Sequence, residues 1–129
     1  MKGKIIPIIK EIKQKYEKNL RERLLNFSVY IMKFINSFLS KREFDMFRYQ
    51  LSKSATSIGA NYEESQTATY KEFINRIRIS LREANETAYW LKIIDKLNIG
   101  NNTCREFLLS EIGEICKIFG PIYSRSIKK

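Results

Sequence analysis

The sequence predicts an all-α protein, an antiparallel up-down-up-down four-helix bundle, and three observations carry that prediction. Only five glycines and two prolines occur in 129 residues, so turn chemistry is confined to a few places. Apolar residues recur at three- and four-residue steps and rarely alternate with polar ones, which leaves no strand pattern. The periodic segments are long and their links short, an arrangement that favours antiparallel neighbours. A chain of this length builds one domain around one core.

Helix one is expected over residues 7–39. Pro7 suits a first turn, and Leu24, Phe27, Ile31, Phe34 and Phe38 form a bundle seam, extended by the looser stripe Ile9, Ile12, Tyr16 and Leu20. Ser40 and Glu43 read as a capping box for helix two, residues 44–67, whose seam is Phe44, Phe47, Leu51, Ala55, Ile58 and Tyr62. Thr69 and Glu72 form a second capping box ahead of helix three, residues 70–97, with Ile74, Ile77, Leu81, Ala84, Ala88 and Leu91 on one face. Gly100 in NIGNN suits a left-handed helix end. Helix four is expected over 103–119, with Thr103 as N-cap, Cys104, Leu108, Ile112, Ile115 and Phe119 as seam, and Gly120-Pro121 as its stop. A basic N-terminal arm and the basic tail YSRSIKK flank the bundle. A long first helix beside a short fourth leaves apolar surface near residues 5–16 for a second copy or a partner to cover.

Several function classes are set aside by composition. The most apolar window, FSVYIMKFINSFLS, is interrupted by Lys33 and Asn36, so no membrane span is expected, and the first residues lack the pattern of a signal peptide. Cys104 and Cys116 fall on one predicted helix, roughly 18 Å apart at 1.5 Å per residue, too far for a disulfide. They read as reduced core thiols of a cytoplasmic protein. Glu83 and Glu86 on helix three, with Asn61 and Glu64 on helix two, resemble half of a di-iron site, but the chain has no histidine to complete it. Without histidine there is no common Ser-His or Cys-His dyad, and the glycines stand singly, so no phosphate loop exists. The expectation is therefore no catalytic residue, no metal and no cofactor.

Charge points elsewhere. The net charge is +10, and residues 1–26 hold eight basic and three acidic side chains. That distribution inclines toward RNA or DNA, while the alternative is lysine-rich helices that simply stay soluble. The candidate phosphate contacts are Lys10, Lys13, Lys18, Arg21 and Arg23 on helix one and Lys71, Arg76, Arg78 and Arg82 on helix three, where Asn75 shares the stripe. The Tyr89-Trp90 pair reads first as packing and second as base stacking. Carboxylates Glu64, Glu83 and Glu86, with Asn61 and Arg48, are expected to form a polar network in which arginines satisfy desolvated acids.

The stretch SIGANYEES puts a glycine in the middle of helix two. Gly59 costs a helix about 1 kcal/mol relative to Ala, yet the seam stays in phase across it. Ala55, Gly59 and their small neighbours are expected to admit helix three closely, with Ala84 and Ala88 as the small partners there.

The same stretch carries a resemblance. Gln50-Leu51, Ser57 to Asn61 followed by Glu63-Glu64, Phe73-Ile74, and Leu81 to Leu91 (LREANETAYWL) together closely resemble the four-helix-bundle proteins encoded within intervening sequences of bacterial 23S ribosomal RNA genes. The match is dense over about fifty residues, Tyr49 to Leu97; elsewhere only the helical pattern agrees. The resemblance implies an antiparallel bundle assembled as a pentameric ring, with no established reaction. A more distant similarity, to accessory proteins of diversity-generating retroelements, implies basic pentamers that bind reverse transcriptase and nucleic acid. Expected partners are thus a second copy of the chain, RNA or DNA, and a reverse transcriptase or ribosome-associated protein, with no membrane.

Overall fold

The computed structural model describes residues 18–128, and side chains from Leu20 onward. Lys10, Lys13, the Lys18 side chain and the apolar stripe at residues 5–16 lie outside the described residues. Four helices follow in order: α1 (Lys18–Ile35), α2 (Asp45–Ser65), α3 (Tyr70–Lys96) and α4 (Asn102–Ile127). A single 3-10 turn, Arg42–Phe44, precedes α2. Neighbours in sequence pack on one another, and α1 closes the bundle against α4, giving the up-down-up-down arrangement.

Each helix buries a stripe of three- and four-residue steps. Leu20, Leu24, Phe27, Ile31 and Phe34 come from α1, and Leu51, Ala55, Ile58 and Tyr62 from α2. Phe73, Ile77, Ala84, Leu91 and Ile94 come from α3, and Leu108, Ile112, Ile115, Phe119 and Ile122 from α4. The α3 face is rotated from the expected seam, for Ile74, Leu81 and Ala88 sit half-buried on its shoulder while Ser80 and Thr87 occupy its centre. The reason is that α3 packs on both α2 and α4, so its buried arc is wide, and two hydroxyls there bond across the helix contact. Ser80 donates to the Ile58 carbonyl at 2.9 Å. The Thr87 hydroxyl lies 2.8 Å from the Ser54 hydroxyl and 2.7 Å from the Glu83 carbonyl. A hydroxyl carries one proton and a carbonyl only accepts, so Thr87 either donates to the Glu83 carbonyl and accepts from Ser54 or shares its proton between the two.

Four expected helix ends are corrected. Ser40 caps nothing: the N-cap position before the 3-10 turn is Lys41, and α2 starts behind Phe44 without a side-chain cap. The carbonyls of Leu39 and Lys41 are served instead by the Arg48 guanidinium, which also pairs with Asp45 at 2.8 Å and lies over the Phe38 ring. Helix one ends at Ile35, four residues short of Leu39, though Phe38 remains buried. Helix four is capped by Asn101, whose side chain accepts from the Cys104 N–H at 2.9 Å, and it runs through Gly120-Pro121 to Ile127. Proline removes one helical hydrogen bond and crowds the residue before it, but glycine has no Cβ to crowd. Packing of Phe119, Ile122 and Ser126 carries the helix across, and Tyr70 at the start of α3 donates to the Ser126 carbonyl at 2.5 Å.

At the start of α3 the Thr69 side chain does accept from the Glu72 N–H. Gly100 adopts φ +81°, and a Cβ there would lie 2.7 Å from Phe34 and 2.8 Å from Phe38, so both backbone and space require glycine. Around this turn Arg105, only 3% exposed, donates to the carbonyls of Ile99 and Gly100, to Asp95 at 2.8 Å, and to Asn98 and Asn102. Among the described residues no helix is long and apolar enough to cross a membrane.

Candidate nucleic-acid interface

The two arginines of helix one are committed to ion pairs within the bundle. Arg21 grips Glu63 of α2 through Nε and a terminal nitrogen at 2.9 and 2.6 Å, and it holds the Glu63 carboxyl below its ordinary pKa. Arg23 grips Glu111 of α4 in the same two-pronged way at 2.6 and 2.8 Å, which raises the arginine's own pKa. Such forks match carboxylate geometry. They pin α1 to both neighbours, a use that competes with phosphate. Arg76 is similarly engaged, reaching from α3 to the Asn61 side chain at 2.8 Å, while Asn61 donates to Ser57.

The remaining α3 cations face outward. Lys71, Arg78 and Arg82 are exposed, and the same four-three stepping continues through Asn85 and Tyr89 to Lys92 and Lys96, all exposed. With Asn75, which accepts from Arg78 at 2.8 Å, these eight positions hold five cations and no carboxylate. At 1.5 Å per residue the stripe is about 37 Å long. Lys92 and Lys96 were not among the residues singled out from sequence, and Tyr89 was singled out with Trp90, first as packing and second as base stacking. The signal that marks them is the same heptad stepping as the buried seam, read on the opposite side of the helix.

The expected polar network is not one network. Arg48 serves the α1–α2 link, Asn61 meets Arg76, and Glu64 is exposed on α2 with no hydrogen bond among the described residues. Glu86 accepts from the Trp90 indole at 3.2 Å. Glu83 is half-buried; burial first, then repulsion from Glu86, pushes its carboxyl above the usual range, and Arg82 and Lys53 oppose this. These groups sit on different faces of α2 and α3, so helical spacing alone did not bring them together.

The expected small-residue contact is also redirected. Ala55 and Ala84 are buried and Ala88 is half-buried, but Gly59 faces α1: a Cβ there would lie 3.4 Å from Leu24 Cβ and 3.8 Å from the Leu24 carbonyl. Position 59 stands about 100° around the helix from Ile58, whose carbonyl meets α3, and this turn points it at the other neighbour. A shallow groove between α1 and α2 is lined by Leu25, Ser28, Thr56, Gly59 and Ala60.

The aromatic pair divides. Trp90 packs edge-on to Phe47 at 6.3 Å and is held by Glu86, whereas Tyr89 is 62% exposed. Cys104, expected in the core, is exposed on the first turn of α4, and Cys116 is half-buried. Among the described residues no group of three or more His, Cys, Asp or Glu is placed to hold a metal ion.

Comparison with known proteins adds a family. A family model described as 23S rRNA-intervening sequence protein matches residues 17–120. A crystal structure from Bacteroides thetaiotaomicron VPI-5482, of a protein with unknown function from the S23 ribosomal protein family, is similar at a TM-score of 0.72 and 31% identity. The similarity covers 80% of this chain and 96% of that one. No curated protein matches.

Proposed function

Because the chain belongs to the 23S rRNA-intervening sequence protein family, we propose that it is a cytoplasmic, non-enzymatic, homo-oligomeric bundle that binds RNA or a nucleoprotein through the outer face of α3. What supports this is one observation: along about 37 Å of α3 the exposed positions hold five cations against two acids, Glu72 and Glu86. Solubility alone asks only for mixed charge, as on α4, where Glu106, Glu114 and Lys117 are all exposed. The proposal rests on α3 and not on Arg21 and Arg23 of α1, which are paired to Glu63 and Glu111 in the bundle. Filter binding with ribosomal RNA fragments tests the proposal: affinity should fall steeply as salt rises. Arg78→Glu with Arg82→Glu should abolish binding while the thermal midpoint stays close to wild type, since both side chains are exposed. Absence of binding at low salt removes the proposal.

A second reading, a protein-interaction scaffold without direct nucleic-acid contact, is favoured by a different observation. Leu25, Val29 and Met32 form an exposed apolar stripe on α1, and Tyr30 meets Phe107 of α4 edge-on at the surface. Such a stripe also suits contact between copies, in the ring that the family resemblance implies. Light scattering gives the copy number. A pull-down dominated by one protein and indifferent to nuclease would favour the scaffold.

A further inference from the structure

We propose that the outer face of α3 takes a single strand of nucleic acid, with phosphates on the Arg78–Arg82 and Lys92–Lys96 pairs and an unpaired base stacked on Tyr89. This rests on the nucleic-acid reading above and narrows it from any nucleic acid to an unpaired strand.

The cations of the stripe are grouped, not evenly spread. Arg78 and Arg82 stand one turn apart, as do Lys92 and Lys96, each pair rising about 6 Å along the axis and the two pair centres lying about 21 Å apart. The 6 Å rise is near the separation of successive phosphates in an extended strand. Between the pairs, on the same face, stand the only uncharged members of that segment, Asn85 and Tyr89. Tyr89 leaves 62% of its surface to solvent, and its ring meets Trp90 edge-on at 6.1 Å and 65°. Trp90 in turn is fixed by Glu86 and by Phe47 of α2, so the tyrosine has a firm backing on a rigid helix.

Cations tracking a backbone around an aromatic platform are the elements of single-strand recognition. An RNA duplex keeps its bases stacked inside, and its deep, narrow major groove shuts a helix face out from the base edges, so an exposed phenol ring adds little there. One turn before Tyr89, the exposed Asn85 amide supplies a donor and an acceptor on the same face. Glu86, the exposed acid nearest the platform, turns one oxygen to the Trp90 indole and keeps its charge, so phosphates are expected on the pairs on either side of it and not beside it.

The test is fluorescence anisotropy with a dye-labelled, unstructured RNA strand and with the same strand annealed to its complement. Wild type should prefer the single strand. Tyr89→Ala should weaken single-strand binding about 10-fold or more, as loss of a stacking aromatic does, with an unchanged salt slope. Tyr89→Phe, which keeps the ring, should stay within about twofold of wild type on the same grounds. Arg82→Gln should lower the salt slope by about 0.7, the value of one phosphate contact on a single strand. Equal affinity for strand and duplex, or a Tyr89→Ala protein that binds like wild type, overturns this proposal and leaves the broader one standing. A change of oligomeric state in Tyr89→Ala would also overturn it, by making the ring a contact between copies. Wild type that binds neither probe at low salt removes both.

Discussion

Replacing Gly59 by alanine tests what the glycine of the family signature is for. If its role is to let α1 approach, the added methyl must be tolerable or not by distance alone. The new Cβ would meet Leu24 Cβ at 3.4 Å and the Leu24 carbonyl carbon and oxygen at 3.8 Å, which is ordinary van der Waals contact. Against that mild crowding, alanine is better than glycine inside a helix by about 0.8–1.0 kcal/mol. The half-exposed methyl adds a fraction of the roughly 0.8 kcal/mol that a fully buried carbon contributes. Gly59→Ala is therefore expected to stabilise the protein by about 1 kcal/mol, a rise of about 2–6 °C in Tm for a domain of this size. Gly59→Val places a branched carbon against Leu24 and should cost about 1–3 kcal/mol by overpacking. Urea unfolding of the three proteins, with m-values compared, measures both numbers. If Gly59→Ala loses stability by about 1 kcal/mol or more, the spacing argument fails. The close approach of α1 at Leu24 would then be what requires the glycine.

Arg105→Ala should destabilise by about 2–4 kcal/mol, because the Ile99 and Gly100 carbonyls and the Asp95 carboxylate all lose their partner; Arg105→Lys should recover only part of this in the same unfolding assay, since an ammonium cannot reproduce the fork. Glu83 supplies a pH dependence. Its carboxyl is raised in the folded state, so the fold binds that proton more tightly than the unfolded chain, and stability falls as pH rises from the unfolded value of about 4.3 through the folded one. Glu83→Gln should thus stabilise at neutral pH and lose that gain toward pH 4, and a gain independent of pH would show the cause to be other than ionisation. The thiols should separate in native labelling with a chromogenic disulfide: Cys104 is exposed and reacts first, while burial raises the Cys116 thiol and slows it until denaturant is added.

The sequence by itself determined the bundle, because a seam stepping by three and four residues has only one way to be buried on a helix. Leu24 to Phe38, Leu51 to Tyr62 and Leu108 to Phe119 are buried as their spacing requires. It also determined Gly100, whose neighbours ask for a left-handed turn, and the cap at Thr69. What it misjudged were places where a local preference met a tertiary one. Gly120-Pro121 is a helix stop in isolation, but Phe119, Ile122 and Ser126 gain more from packing than one lost hydrogen bond costs. Ser54, Ser80 and Thr87 look like surface residues until a facing helix supplies their partners.

The candidate interface follows the same division. That α3 carries a basic stripe is written in its spacing, half a turn from the seam. Which cations are available to a ligand is not, because Arg21, Arg23 and Arg76 occupy surface positions by pattern and are claimed by Glu63, Glu111 and Asn61 across helix contacts. Charge type and periodicity are local properties of a chain. The partner of a long, flexible side chain is chosen by whatever helix the fold brings beside it, and only the packed bundle decides that.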